Sequence, residues 1–142
     1  VLAYAGLERL GRTDVITQVL DFDTMLPAPG QGAIAVQTRD DPAVLQTLAP
    51  IHHVHTALAI TAERAFLAGL GGGCSVPVAA YAHREYDRLI LRGQVCSLDG
   101  TQQIEVSAVA DVQDISSAHA LGMALAQDAL EKGAKALMEQ GA

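Results

Sequence analysis

Apolar and polar residues recur with the period of a helix or a strand through most of the chain after residue 50. Their spacing predicts a long helix from about His52 to Leu70. Glu63 falls outside the apolar stripe of this helix, which consists of Val54, Leu58, Ala62, Ala65, Phe66 and Gly69. Alternating apolar residues then predict three strands, over about 76–82, 89–97 and 103–110.

Two local signals organise the region after the second predicted strand. The Asp99-Gly100 pair between the second and third strands is typical of a hairpin turn. Asp114 can accept hydrogen bonds from free N–H groups, so a last helix is expected to begin there. Its inward stripe would be Ile115, Ala118, Gly122, Leu125 and Ala129. These elements predict an α+β fold, a three-stranded antiparallel sheet with helices packed on one face.

The first third of the chain is less regular and richer in turn residues. Residues 2–10 predict a helix that ends before Gly11. β-Branched and apolar residues predict short strands over 15–22 and 33–38. Between these strands, residues 25–32 contain two prolines and two glycines, which predict an irregular loop because proline cannot donate to a strand or helix ladder.

Composition excludes several classes of function. Lys plus Arg number 9 and Asp plus Glu 16, giving a net charge of −7, so no nucleic-acid partner is expected. No apolar run approaches the roughly 20 residues of a membrane-spanning helix, so no membrane partner is expected either. Two cysteines, Cys74 and Cys96, are too few for a disulfide scaffold and fit a cytoplasmic protein. The first residue is Val1 rather than Met, which we interpret as the mark of a fragment or a processed product.

The stretch around Cys74 carries the strongest chemical signal. The long predicted helix runs into Gly71-Gly72-Gly73, and the thiol follows just before a predicted strand. Glycines leave room for a bulky group beside the sulfur. From spacing alone, Cys74 fits a small buried apolar residue as well as it fits a nucleophile or a covalent attachment point.

Two longer motifs give this stretch a context. AERAFLAGLGGGCSVPVAAYA (residues 62–82) and LPAPGQGAIAVQ (residues 26–37) together resemble the porphobilinogen deaminase family, and the resemblance covers nearly the whole chain. Members of that family are longer and have three domains. The resemblance implies that residues 1–25 end domain two and that 26–50 form the hinge and a return strand of domain one, which makes both parts remnants of α/β domains. Residues 51–142 would then be the C-terminal domain that carries the dipyrromethane cofactor.

The resemblance also implies a chemistry. The family, also called hydroxymethylbilane synthase, condenses four porphobilinogen molecules into the linear tetrapyrrole hydroxymethylbilane, with release of ammonia. The chain grows on a dipyrromethane primer held through a thioether, and the matching cysteine here is Cys74. Gly72 and Gly73 would leave room for the pyrrole rings of this cofactor. Gln31, between two glycines, is a candidate residue of the substrate cleft, and an exposed hinge turn is the equally simple alternative.

The family's catalytic aspartate and its cluster of carboxylate-binding arginines have no counterpart in this sequence. No catalytic residue is therefore assigned, and the chain is expected to be inactive without the missing N-terminal domains, its expected partner. Arg39 remains a candidate for the cleft, and a structural salt bridge is expected for Arg64. Two alternatives stay open from the residues: a stand-alone α+β binding module without catalysis, and a thiol enzyme that pairs Cys74 with a histidine of the long helix.

Two further groups are not assigned a chemical role. His52, His53 and His55 lack a nearby thiol or carboxylate with metal-ligand spacing, so no metal site is expected, and the start of a helix explains them. Cys96 lies in a predicted strand and is interpreted as a packing residue.

Overall fold

The structure, a computed structural model, describes residues 1–71 and 77–139. The α-helices and strands follow one another along the chain in the order α1, α2, α3, β1, β2, β3, α4 and a short α5. Their bounds are Tyr4–Arg9 (α1), Pro42–Leu48 (α2), Val54–Gly69 (α3), Val78–Glu85 (β1), Arg88–Cys96 (β2), Gln103–Asp111 (β3), Ile115–Glu131 (α4) and Ala134–Glu139 (α5).

The three strands form one antiparallel sheet in the order β1-β2-β3. Leu91 in the central strand lies opposite Ala82 of β1 and Ala108 of β3, so these residues share the inner face. The turn predicted at Asp99-Gly100 joins β2 to β3, as expected. The predicted α+β fold with a three-stranded antiparallel sheet is confirmed.

Helices α3 and α4 cover the inner face of the sheet and pack tightly against each other. Phe66 of α3 is fully buried between the two layers. Gly122 of α4 lies against the backbone of Ala62, and a Cβ atom there would overlap the Ala62 carbonyl oxygen. Close approach of the two helices therefore depends on a glycine at this position.

The last helix begins as predicted, although its apolar stripe differs. The Asp114 carboxylate accepts a hydrogen bond from the Ser117 N–H at 2.7 Å, and the Ser117 hydroxyl accepts one from the Asp114 N–H at 3.1 Å. Placing Ile115 in the inward stripe was wrong, because its side chain is 54% exposed. It is the first residue of α4, and Val112, three residues earlier, is the buried residue before the helix.

The first 50 residues follow the predictions less closely. Helix α1 ends before Gly11, as expected. The strands predicted over 15–22 and 33–38 are wrong: the chain makes a 3₁₀ turn at Thr13–Val15 and is otherwise irregular there. A strand is stable only when another strand accepts its hydrogen bonds, and the described residues offer none to these segments. Helix α2 was not predicted; Asp41 caps it by accepting the Ala43 N–H at 2.9 Å.

None of the helices in the described ranges combines the length and the hydropathy needed to cross a membrane.

Candidate functional site

The loop predicted from its prolines and glycines forms two successive tight turns. The Gln31 N–H donates to the Ala28 carbonyl at 3.0 Å, and the Ala33 N–H donates to the Gly30 carbonyl at 3.4 Å. Gly30 has a φ of 78°, which a side chain would disfavour, and Pro29 before it has the φ that this kind of turn requires. Gln31 therefore projects from a turn whose shape is set by its neighbours.

This loop lies along the open edge of the sheet, where β1 has no neighbouring strand among the described residues. The Ala80 N–H donates to the Pro27 carbonyl at 2.9 Å. The Ala82 N–H donates to Oε1 of Glu63 at 2.8 Å, and Oε2 of the same carboxylate accepts the Gly30 N–H at 2.7 Å. An edge strand with free N–H groups is a site for unwanted pairing, and here the loop and one carboxylate cover it.

Glu63 is buried, with 4% of its surface exposed. Burial raises the pKa of its carboxyl group, while the N–H groups of Gly30 and Ala82 act in the opposite direction. Among the described residues, no lysine, arginine or histidine lies within ion-pair distance of it. The two backbone N–H groups therefore take the place of the water that would solvate an exposed carboxylate.

Sequence reasoning missed Glu63 because it placed this residue outside the apolar stripe, where solvent is the default expectation. One signal was available: Glu63 is the only acidic residue of α3 and directly follows the buried Ala62. Its two partners, however, lie 33 and 19 residues away in the chain, and no periodicity within a helix reveals such distant partners.

Two side-chain contacts extend the attachment of the loop onto the outer face of the sheet. The ring of Phe22 stacks on Tyr81 of β1, with ring centroids 3.8 Å apart. Asp23 and Arg92 of β2 form an ion pair at 2.7 Å. Leu26 of the same segment is buried, whereas Met25 before it is exposed. We call residues 22–32 the docked segment, because Phe22, Asp23 and Pro27 within it contact the sheet.

Gln31 lines an open cleft of about 630 Å³ formed by residues between 1 and 31. The cleft is mostly apolar, and its lining includes Leu2, Tyr4, Val19, Phe22 and Met25. The Gln31 side chain is exposed, so its amide is free to meet a molecule in this space. Its role as a cleft residue stays a prediction.

The predicted attachment point Cys74, with Gly72 and Gly73, lies outside the described residues. The chain is described again from Pro77, whose carbonyl accepts the Cys96 N–H at 3.0 Å. Cys96 itself is half-buried on the outer face of the sheet. Burial and the nearby negative charge of Glu105 raise the pKa of the Cys96 thiol, which makes it a poor nucleophile.

The three histidines, His52, His53 and His55, lie around the start of α3. Arg64 is exposed within α3, whereas Arg39 lies before α2. His53 caps α3, accepting the Thr56 N–H at 3.2 Å. The described residues contain no group of three potential metal ligands. No described acidic group lies within ion-pair distance of Arg39 or Arg64, so the expected salt bridge of Arg64 is not formed.

Comparison with known families gives this geometry its context. Residues 57–131 match the family model described as "Porphobilinogen deaminase, C-terminal domain". The chain belongs to the porphobilinogen deaminase family. Residues 1–47 match a second model, described as "Porphobilinogen deaminase, dipyromethane cofactor binding domain".

Curated relatives agree with the family models. The chain is 45% identical to a porphobilinogen deaminase of Carboxydothermus hydrogenoformans over 141 residues, which are 99% of this chain and 44% of that protein. It is 48% identical to one of Pelotomaculum thermopropionicum over 141 residues (99% and 44%) and 45% identical to one of Thermobifida fusca over 149 residues (100% and 47%). The chain thus spans slightly under half the length of these relatives.

The contacts of Glu63 join the two matched ranges. Gly30 and Pro27 belong to the range whose description names the cofactor, whereas Glu63, Ala80 and Ala82 belong to the C-terminal range. Cys74 also falls within the C-terminal range. The docked segment therefore forms a described contact between the two ranges that match the family models.

Proposed function

We propose that the protein to which this chain belongs is a hydroxymethylbilane synthase, a transferase of tetrapyrrole and haem biosynthesis. It would condense four porphobilinogen molecules into hydroxymethylbilane and release ammonia. Family membership over both matched ranges is the observation that carries this proposal. Porphobilinogen and the growing pyrrole chain would be its small-molecule partners, and its two cysteines in 142 residues fit the cytoplasm.

Cys74 is proposed as the attachment point of a dipyrromethane cofactor, one per chain. A thiol is the group that a thioether needs, and the glycines that precede Cys74 carry no side chain to obstruct a pyrrole ring. The sulfur would attack the aminomethyl carbon of a porphobilinogen unit, forming the C–S bond while the C–N bond breaks. The thiol proton would leave with the amine as ammonia, so the step balances without an oxidant or reductant. When bound, the cofactor supplies the pyrrole position from which the tetrapyrrole is extended.

The acidic side chains of the cofactor and substrate require cationic partners, and this chain supplies few. Of its 9 Lys and Arg residues, five form ion pairs with described acidic residues: Arg12, Arg84, Arg92, Lys132 and Lys135. Bidentate recognition of carboxylates by arginine would therefore come mainly from the rest of the protein. Gln31 is proposed to contribute a neutral hydrogen-bonding group at the cleft.

We infer that the chain alone carries no turnover and that the remaining part of the protein covers its apolar surfaces. Ile34 is 95% exposed and lines an open apolar groove of about 800 Å³ with other residues between 33 and 60. Apolar surface of this extent usually has a partner. The relatives are more than twice as long as the aligned part, so they have the chain needed to cover it. Domain boundaries near residues 25 and 50 belong to the same proposal.

Intact mass of the denatured chain, with a pyrrole-reactive aldehyde colour test, examines the attachment directly. The expected result is an adduct of two pyrrole units that survives denaturation and maps to Cys74. Cys74→Ser should abolish the adduct, and the control Cys96→Ser should retain it. An adduct on Cys96, or one that denaturation removes, would contradict the proposal.

Turnover is measured separately, by incubating the chain with porphobilinogen and assaying for the bilane. We expect none above the uncatalysed rate. Formation at a rate typical of enzymes would show that the missing part is not required.

A further inference from the structure

We infer that Glu63 is a positioning residue that holds the Gln31 turn at a fixed place on the C-terminal domain, by accepting the Gly30 and Ala82 N–H groups at once. The contacts stand on their own geometry. The expected effect on substrate binding rests on the proposed function, because Gln31 would affect substrate only as a residue of the cleft.

Both oxygens of the carboxylate accept a hydrogen bond in this arrangement. Oε2 accepts from Gly30 at 2.7 Å and Oε1 from Ala82 at 2.8 Å, so each oxygen faces one donor. Hydrogen bonds to a charged acceptor are stronger than neutral ones, and burial reduces competition from water. A glutamine at this position would accept from one N–H and present its own NH₂ group to the other, leaving two donors facing each other.

Holding Gly30 also fixes the backbone beside Gln31. Gly30 is the residue of the first turn with positive φ, and its carbonyl closes the second turn by accepting the Ala33 N–H. Gln31 lies between these two constraints, one residue from the Gly30 N–H that Glu63 holds. Release of that N–H frees the turn from α3, whereas the Pro27–Ala80 bond continues to attach the base of the loop.

Glu63 thereby connects the part of the chain that matches the cofactor-binding model to the domain that contains Cys74. A role confined to covering the sheet edge would require only the Ala82 bond. The second hydrogen bond, to a turn 33 residues earlier in the chain, is the observation that supports a positioning role for Glu63.

Residue-resolved amide hydrogen exchange of the full chain tests the inference. In Glu63→Gln, exchange at Gly30 and Gln31 should accelerate roughly 10- to 100-fold, the loss expected for a hydrogen bond to a charged acceptor. Leu91 and Val95 of the central strand should keep their protection. Glu131→Gln is the matched control, because Glu131 is an exposed glutamate of α4 and the same charge is removed. Unchanged exchange at Gly30 would overturn the inference, as would an equal acceleration throughout β2.

A second variant keeps the test informative if Glu63→Gln folds poorly. Gly30→Ala leaves the carboxylate intact but strains the turn at a φ of 78°. Exchange should accelerate at residues 30 and 31 while the Ala82 N–H stays protected by Glu63. Loss of protection at Ala82 as well would mean that the two bonds cannot be separated and would contradict a specific hold on the turn.

The consequence for substrate is measured on the whole protein. Glu63→Gln should raise KM for porphobilinogen about 10-fold while kcat changes less than about 2-fold, because Gln31 is placed to bind rather than to react. A fall in kcat alone would overturn the positioning role. Absence of the Cys74 adduct in the wild-type protein would instead contradict the proposed function, and the exchange result at Gly30 would stand.

Discussion

The chain consists of two regions that use their apolar residues in opposite ways. From α3 to α5, apolar side chains face one another across the helix and sheet layers and form a continuous core. In the first 50 residues the core contribution is limited to Leu26, while large apolar side chains such as Ile34 and Val36 remain exposed. Similar residue types are present in both regions. The difference is whether the described chain supplies the surface against which they pack.

The docked segment differs from the rest of the first 50 residues. It is irregular, yet it attaches to the sheet through Phe22, Asp23 and Pro27, and to α3 through Gly30. Its order therefore comes from partners in the C-terminal region and not from its own secondary structure. The contrast predicts large effects for changes within the core and smaller effects for changes at the attachment.

The largest expected effect is that of Phe66→Ala. Phe66 is fully buried between the helices and the sheet, so its truncation removes apolar contacts and leaves a cavity. We expect the free energy of unfolding to fall by about 3–5 kcal/mol, measured by urea denaturation. Ile34→Ala, at an exposed site of the other region, should change it by less than about 0.5 kcal/mol. Equal losses would refute the distinction between the two regions.

The elements that could be predicted are those whose signals are local. The capping of α4 by Asp114 and the turn at Gly100 each depend on residues within a few positions of one another. The strand predicted over 33–38 was wrong because strand formation depends on a partner, which the pattern of one segment does not specify. Glu63 was missed for the same reason, since its partners are distant. The motif around Cys74 was found by resemblance to a family, while its residues alone left packing and chemistry equally open.

Phe22→Ala tests how firmly the docked segment is attached. The ring stacks on Tyr81 at 3.8 Å, and Phe22 is otherwise half-exposed. An aromatic pair of this kind contributes about 1 kcal/mol beyond the area that it buries. We expect a loss of about that size in the free energy of unfolding, with faster amide exchange over residues 22–26. Val19→Ala, which changes an exposed residue before the segment, should have no such effect.

Ser117→Ala tests the capping of α4, which is a local signal within the well-packed region. Its hydroxyl accepts the Asp114 N–H at 3.1 Å and completes the capping of α4, while the reverse bond from the Ser117 N–H persists in the variant. We expect a loss of about 0.5–1 kcal/mol in the free energy of unfolding. Ser116→Ala is the matched control, because Ser116 is an exposed neighbour in the same turn. A larger effect for Ser116 would mean that helix propensity outweighs capping here.

The smallest effect is expected in the pH dependence that links the two regions through Glu63. Burial raises the pKa of this carboxyl group above its ordinary value of 4.5, and the two N–H groups offset part of that change. Between 4.5 and the raised pKa, the folded chain binds more protons than the unfolded chain, so the free energy of unfolding falls as pH rises through this window. Comparison of the wild-type chain with Glu63→Gln by urea denaturation isolates this contribution, because other carboxyl groups titrate in both. The wild type should lose stability relative to Glu63→Gln as pH rises above 4.5, and a relative gain would mean that the two N–H groups outweigh burial.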